Sequence, residues 1–202
     1  MDRPVIGIPI GDPAGIGPEI VVKALMNRDL YDLCKPVVIG DVNVLKRIDA
    51  VVKSGLEFNV ISEPEQGKFR RGCIDLISLD NVDIDSLEYG KVQAQAGRAA
   101  YEYIVESARL AGSGKITAVA TTAINKEAIK AANINFIGHT EMYAHLTNTH
   151  DPLTMFQVYN MRVFFLTRHV SLRKACDLVT KERLVDYLVR CDAALRKLGL
   201  ER

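Results

Sequence analysis

Apolar residues along the chain fall in short β-branched runs separated by longer stretches of helical period. Residues 5–10 form an apolar run too short for a helix, β-branched at Val5, Ile6, Ile8 and Ile10, and predict a first strand. Residues 20–26 are apolar-rich with good helix formers, preceded by Pro18, which suits a first helical turn, and Glu19, which complements the positive end of the helix dipole. Residues 36–40 predict a second buried strand, after which Asp41 is placed to cap a helix over 42–53 that ends at Gly55. A weakly alternating strand over 57–61 follows, then an exposed excursion over 62–73 carrying Pro64, Gly67 and Gly72, then a strand over 74–79. A long helical pattern over 91–111 opens after Gly90 and stops at Gly112 and Gly114. Residues 116–120 predict a strand ending at Thr121 and Thr122, with helices over 126–132 and 142–146 beyond it. Two strand-like runs, 154–159 and 161–167, are separated only by Asn160, a sign of a tight reversal. Ser171 begins a helix through Val179. Thr180 caps a last helix over 181–198 with Leu184, Tyr187, Leu188, Cys191 and Leu195 along one face.

Strands alternating with helices predict an α/β fold, an α/β/α sandwich around a mainly parallel sheet. The expected division is a first α/β domain over 1–124 and the start of a second, with dimerisation elements, over 125–202. The sequence stops just after a helix, where such a chain would supply another strand, so the fold is expected to be incomplete at the C-terminus.

Composition narrows the function classes. With 202 residues, 48% of them hydrophobic and 25% charged, the chain can bury a sizeable core. A net charge of +1 and no basic run interleaved with aromatics argue against nucleic acid as a partner. Nothing reads as a signal peptide or a membrane span, so a cytoplasmic protein without a membrane partner is expected. Cys34, Cys73, Cys176 and Cys191 are scattered with no C-x-x-C pair, which predicts buried reduced thiols rather than disulfides or a four-cysteine zinc site.

Candidate chemistry gathers at the carboxyl ends of predicted strands, where ligands bind in α/β sheets. Three loops qualify: Gly11 to Glu19, Thr121–Thr122 and Arg168–His169. One sheet edge is expected to collect them. Gly11, Gly15 and Gly17 allow positive φ or close approach of another group. Their spacing matches neither the dinucleotide fingerprint nor a Walker loop, and by itself leaves open a simple strand-to-helix turn. Asp12, Gly15, Thr121 and Lys126 are further candidates for the cleft. The Thr121 and Thr122 hydroxyls suit backbone bonding or capping, and Lys126 suits either a phosphate or an exposed helix face. Among the four histidines, His139 and His169 stand at strand or turn ends with polar neighbours, while His145 and His150 are expected to be exposed.

The loop Gly-Asp-Pro-Ala-Gly-Ile-Gly-Pro-Glu (11–19) resembles the opening of the 4-hydroxythreonine-4-phosphate dehydrogenase family, whose fold is similar to that of isocitrate and isopropylmalate dehydrogenases. Three later stretches carry the same resemblance: Thr121-Thr122-Ala123-Ile124-Asn125-Lys126, Ile137-Gly138-His139-Thr140-Glu141, and Leu166 to Leu172 around His169. The wording around residues 164–173 is closer to a branch acting on 4-phospho-D-threonate or 4-phospho-D-erythronate. The resemblance implies oxidation and decarboxylation of a 4-phosphorylated hydroxy acid, with NAD or NADP and a divalent metal (Zn, Mg, Mn or Co). It implies substrate contacts at His139 and Thr140, a metal ligand at His169, and a homodimer with shared active sites. Met142, Tyr143, Leu146, Met155 and Phe156 are apolar residues expected to serve that dimer. Two departures stand out. Ala123 replaces the family's proline, and family members run longer, so that one metal histidine of three is present. A non-catalytic paralogue that binds a phosphorylated hydroxy acid or only dimerises is the competing expectation. A transferase on a related fold has no sequence feature in its favour.

Overall fold

The first strand, β1 (Val5–Pro9), leads through the glycine loop into α1 (Gly17–Leu25), and a short α2 (Leu30–Leu33) precedes β2 (Lys35–Gly40). Next come α3 (Val42–Val52), β3 (Glu57–Ile61), β4 (Cys73–Ser78), the long α4 (Ala94–Gly112), β5 (Ala118–Val119), α5 (Lys126–Ala131) and α6 (His139–Leu146). The computed structural model describes residues 3–200, and their contacts separate one body up to His150 from another that begins at Asp151.

In the first body the strands form one five-stranded sheet in the order β3-β4-β2-β1-β5, with every pairing parallel. The central strands β2 and β4 are buried along almost their whole length, which accounts for their largely apolar sequence, interrupted in β4 by Asp75. Helices flank the sheet, α4 packing on β1 and β2, and α1 on α3. Asp41 caps α3 as expected, its Oδ1 accepting the N–H groups of Asn43 and Val44 at 2.8 and 3.3 Å. The expected α/β architecture, with a mainly parallel sheet, is the one observed.

Several boundaries differ for local reasons. The excursion before β4 is anchored, not loose: buried Asp75 accepts the Lys68 and Phe69 backbone N–H groups at 3.0 and 2.8 Å, and Phe69 packs on the core. Helix α4 starts at Ala94, later than predicted, because the Gln93 side chain bonds the Glu88 N–H and the Ser86 carbonyl and holds that stretch as a loop. Strand β5 is shorter than predicted and pairs with β1 over two residues, Ala118 with Ile6 and Val119 with Gly7.

The first body extends to His150 because α5 and α6 pack on α4. Ala100 and Ile104 of α4, Ile129 of α5 and Met142 of α6 form one buried cluster, with Tyr143 and Leu146 against it. The Tyr143 hydroxyl sits 2.7 Å from Ser107 Oγ. Met142, Tyr143 and Leu146 therefore serve this core, and the expectation that they form an interface is corrected.

The second body holds an antiparallel hairpin of β6 (Met155–Val158) and β7 (Met161–Phe164), then α7 (Leu172–Asp177) and α8 (Lys181–Lys197). The hairpin turns at Tyr159, whose φ is 50°. Its two strands make their own sheet. Arg168 and His169 thus follow a strand outside the five-stranded sheet, and the expectation that one sheet edge gathers all three loops does not hold. Along α8 only Tyr187 and Cys191 are buried, while Leu184 and Leu188 stay exposed. Cys176 is exposed too, contrary to expectation; all four cysteines are free thiols. No helix among the described residues is long and apolar enough to cross a membrane.

Candidate functional site

The glycine loop is fixed from both sides. Gly11 has φ +74°, and a Cβ there would lie 2.2 Å from the Ala123 carbonyl oxygen, so only glycine fits without rearrangement. That approach lets the Asp12 N–H donate to Ala123 O at 3.0 Å. The Thr122 hydroxyl donates to Pro9 O at 2.9 Å, the backbone bond its position suggested. Gly17 lies so close to Ile10 that a Cβ would meet its carbonyl oxygen at 2.1 Å. The loop after β1 and the loop after β5 are therefore tied together at the carboxyl edge of the sheet.

Asp12 is 3% exposed, and its Oδ1 accepts the Ala14 N–H at 2.7 Å. Burial pushes its carboxyl above the usual range, with the Ala14 N–H opposing the shift. Beside it opens a cavity of about 460 Å³ lined by Asp12, Gly15, Gly90, Asn125 and Lys126, among others. A second groove of about 480 Å³ shares Gly15 and Gly90 and is lined by the apolar Ile48, Val51, Val52 and Tyr89. Of the sequence candidates, Asp12, Gly15 and Lys126 come together here; Thr121 is exposed and does not line the cavity. Gly90 and Asn125 were not anticipated. Gly90 is brought in by its N–H bond to Ala14 O at 2.8 Å, across a separation no local pattern encodes. Asn125 caps α5, accepting the Glu127 and Ala128 N–H groups at 2.9 and 3.1 Å, and an Asn before a helical run is a legible cap signal.

His139 and Thr140 open α6 behind Gly138, and no side chain caps that end. The first N–H groups of this helix have no intrahelical acceptor. His139 is half-buried, and burial pushes its imidazole below the usual value, favouring the neutral ring. The Lys126 side chain reaches the same place: its Cε lies 3.9 Å from where a Cβ on Gly138 would stand. Lys126 thus connects the glycine-loop cavity with the start of α6.

His169 belongs to the second body. It is exposed, has φ 51°, and with Thr154, Phe156, Phe165, Thr167 and Arg168 lines a cavity of about 270 Å³. Arg168 is held by the Thr154 hydroxyl at 2.9 Å and Pro152 O at 3.1 Å. Among the described residues no group of three or more His, Cys, Asp or Glu is placed to hold a metal ion. His169 alone is one ligand, and one imidazole does not hold a catalytic divalent ion, so the donors present do not complete a metal shell.

The chain is 58% identical over 200 residues to a Clostridium botulinum protein provisionally named D-threonate 4-phosphate dehydrogenase, and 53% identical over 198 residues to a Fusobacterium nucleatum protein of the same name. These alignments cover 99% and 98% of this chain but 60% of each relative, so the chain spans about three-fifths of their length. A 4-hydroxythreonine-4-phosphate dehydrogenase structure from Burkholderia phymatum superposes with a TM-score of 0.93 at 38% identity, covering 100% of this chain and 61% of the other. The corresponding enzyme from Klebsiella pneumoniae gives 0.91 at 36%, covering 99% and 60%. The family model for the pyridoxal phosphate biosynthetic protein PdxA matches residues 32–202. With more than half the sequence matched, the chain belongs to the PdxA family.

Proposed function

We propose that this chain is the part of a cytoplasmic dehydrogenase that takes a 4-phosphorylated hydroxy acid, either 4-hydroxythreonine 4-phosphate or 4-phospho-D-threonate or -erythronate. The names of its relatives support the substrate class. The observation that carries the reading is the start of α6, where uncapped N–H groups, the Thr140 hydroxyl and the half-buried His139 imidazole stand beside Gly138. Such a helix end favours an oxyanion through its aligned dipole and free donors. His139 then donates or accepts one hydrogen bond without adding charge, and Thr140 supplies a further donor.

NAD or NADP, when bound, would supply the hydride acceptor for oxidation of the secondary alcohol, and the resulting ketone would favour loss of the neighbouring carboxylate as carbon dioxide. His169 is proposed as one ligand of a divalent ion. The described residues do not complete that ion's shell, and the chain alone is expected to show no dehydrogenase turnover. The second body is proposed to carry the dimerisation elements. Its hairpin leaves Phe156, Val158, Tyr159 and Met161 exposed, apolar surface suited to a second copy.

Calorimetric titration of the purified chain tests the reading. D-threonate 4-phosphate should bind saturably and unphosphorylated D-threonate at least tenfold more weakly, the value of about one charge-assisted hydrogen bond. Equal affinity for the two, or dehydrogenase turnover by the chain alone, would overturn it.

A further inference from the structure

Two side chains in the glycine-loop cavity are uncommitted. Buried Asp12 spends one carboxylate oxygen on the Ala14 N–H, and the other accepts nothing from a described residue. Lys126 makes no hydrogen bond or ion pair with a described residue, whereas Lys91, the other cation lining the cavity, stands 3.6 Å from Glu88. Both positions are rigidly set. Asp12 is tied to Ala123, and Lys126 opens a helix capped by Asn125. A carboxylate acceptor and a free ammonium lining one cavity of about 460 Å³ match a ligand that carries a hydroxyl near an oxyanion.

We propose that this cavity is a binding site for a hydroxylated oxyanion, with Asp12 accepting from the hydroxyl and Lys126 pairing with the phosphate or carboxylate. The site deepens the function proposed above and rests on it. Two sources offer the chemistry: the phosphorylated hydroxy acid itself, and a ribose with its adjoining phosphate in the dinucleotide. The reach of Lys126 to Gly138 places the cation between the cavity and the start of α6, where either molecule would present its charge.

Calorimetry on the 202-residue chain decides, with D-threonate 4-phosphate and NAD as separate probes. Lys126→Met should weaken one of them by about ten- to a hundredfold, the value of a charge-assisted hydrogen bond, with Lys126→Arg within a few-fold of wild type. Asp12→Asn keeps an acceptor for the Ala14 N–H, so the loop stays intact, and should weaken the same probe by about tenfold. Melting curves near wild type confirm that these variants fold. The probe that responds identifies the source. If neither Lys126→Met nor Asp12→Asn changes either affinity, or wild type binds neither probe at millimolar concentration, the proposed site is wrong. His139→Ala and Thr140→Val separate the two readings. Loss of D-threonate 4-phosphate binding in these, with the affinity for both probes unchanged in the cavity variants, leaves the function standing and removes the site. The reverse pattern keeps the site and removes the function assigned to α6.

Discussion

Gly97 lies inside α4, where replacing glycine by alanine ordinarily stabilises a helix by about 1 kcal/mol. The structure reverses that expectation. A Cβ at Gly97 would stand 1.9 Å from Ala128 O, 2.1 Å from Ala128 C and 2.6 Å from Ile129 N. All three are backbone atoms of α5 and cannot rotate aside, so the helices must separate. Overpacking typically costs about 1–3 kcal/mol, and a backbone clash belongs at the upper end. Subtracting the propensity gain leaves Gly97→Ala destabilising by about 2 kcal/mol, a fall in Tm of about 4–8 °C for a chain of this size. Gly112 ends the same helix with nothing within 4 Å of a built Cβ, so Gly112→Ala should be neutral or slightly stabilising. Thermal denaturation of the pair makes the comparison. A Tm for Gly97→Ala at or above wild type would refute the close packing of α4 on α5, and with it the fixed placement of Lys126.

Asp41 is fully buried and accepts from Asn43, Val44 and Val82 N–H groups, so Asp41→Ala should destabilise by about 2–4 kcal/mol in denaturant titration, and a loss below 1 kcal/mol would contradict its role. Burial lowers the His139 pKa below 6.5, so the unfolded state binds more protons just below that pH. His139 should therefore cost stability as pH falls below 6.5, and His139→Gln should flatten the pH dependence of Tm there; parallel profiles would count against it. Sedimentation at micromolar concentration should give a dimer that Phe156→Glu with Val158→Glu dissociates, and a wild-type monomer would refute the assignment of the hairpin face.

The sequence showed most of the sheet and little of its assembly. Strands β1, β2 and β4 are legible because parallel strands covered by helices read as short, mainly apolar runs bounded by turn signals. The caps at Asp41, Ser171 and Thr180 are legible because side-chain oxygens serve N–H groups two or three residues on. The site divides in the same way. The motifs marked Asp12, Gly15, Lys126, His139 and Thr140, whereas Gly90 enters through one long-range backbone bond that carries no sequence pattern. Apolarity also misled. Met142, Tyr143 and Leu146 looked like interface residues, but the small Ala100 side chain lets α6 bury them or pack them against α4. Periodicity located the strand before His169 without revealing which sheet it joins, since pairing partners are set by topology.

The central claim is that the first turn of α6 receives the charged group of a phosphorylated hydroxy acid. Backbone amide chemical shifts of the isotope-labelled chain, followed while D-threonate 4-phosphate is added, test it most directly. The amides of His139, Thr140 and Glu141 should shift most and saturate together, and unphosphorylated D-threonate should move them little. Saturating shifts confined to other residues, or none at these three, would contradict the claim.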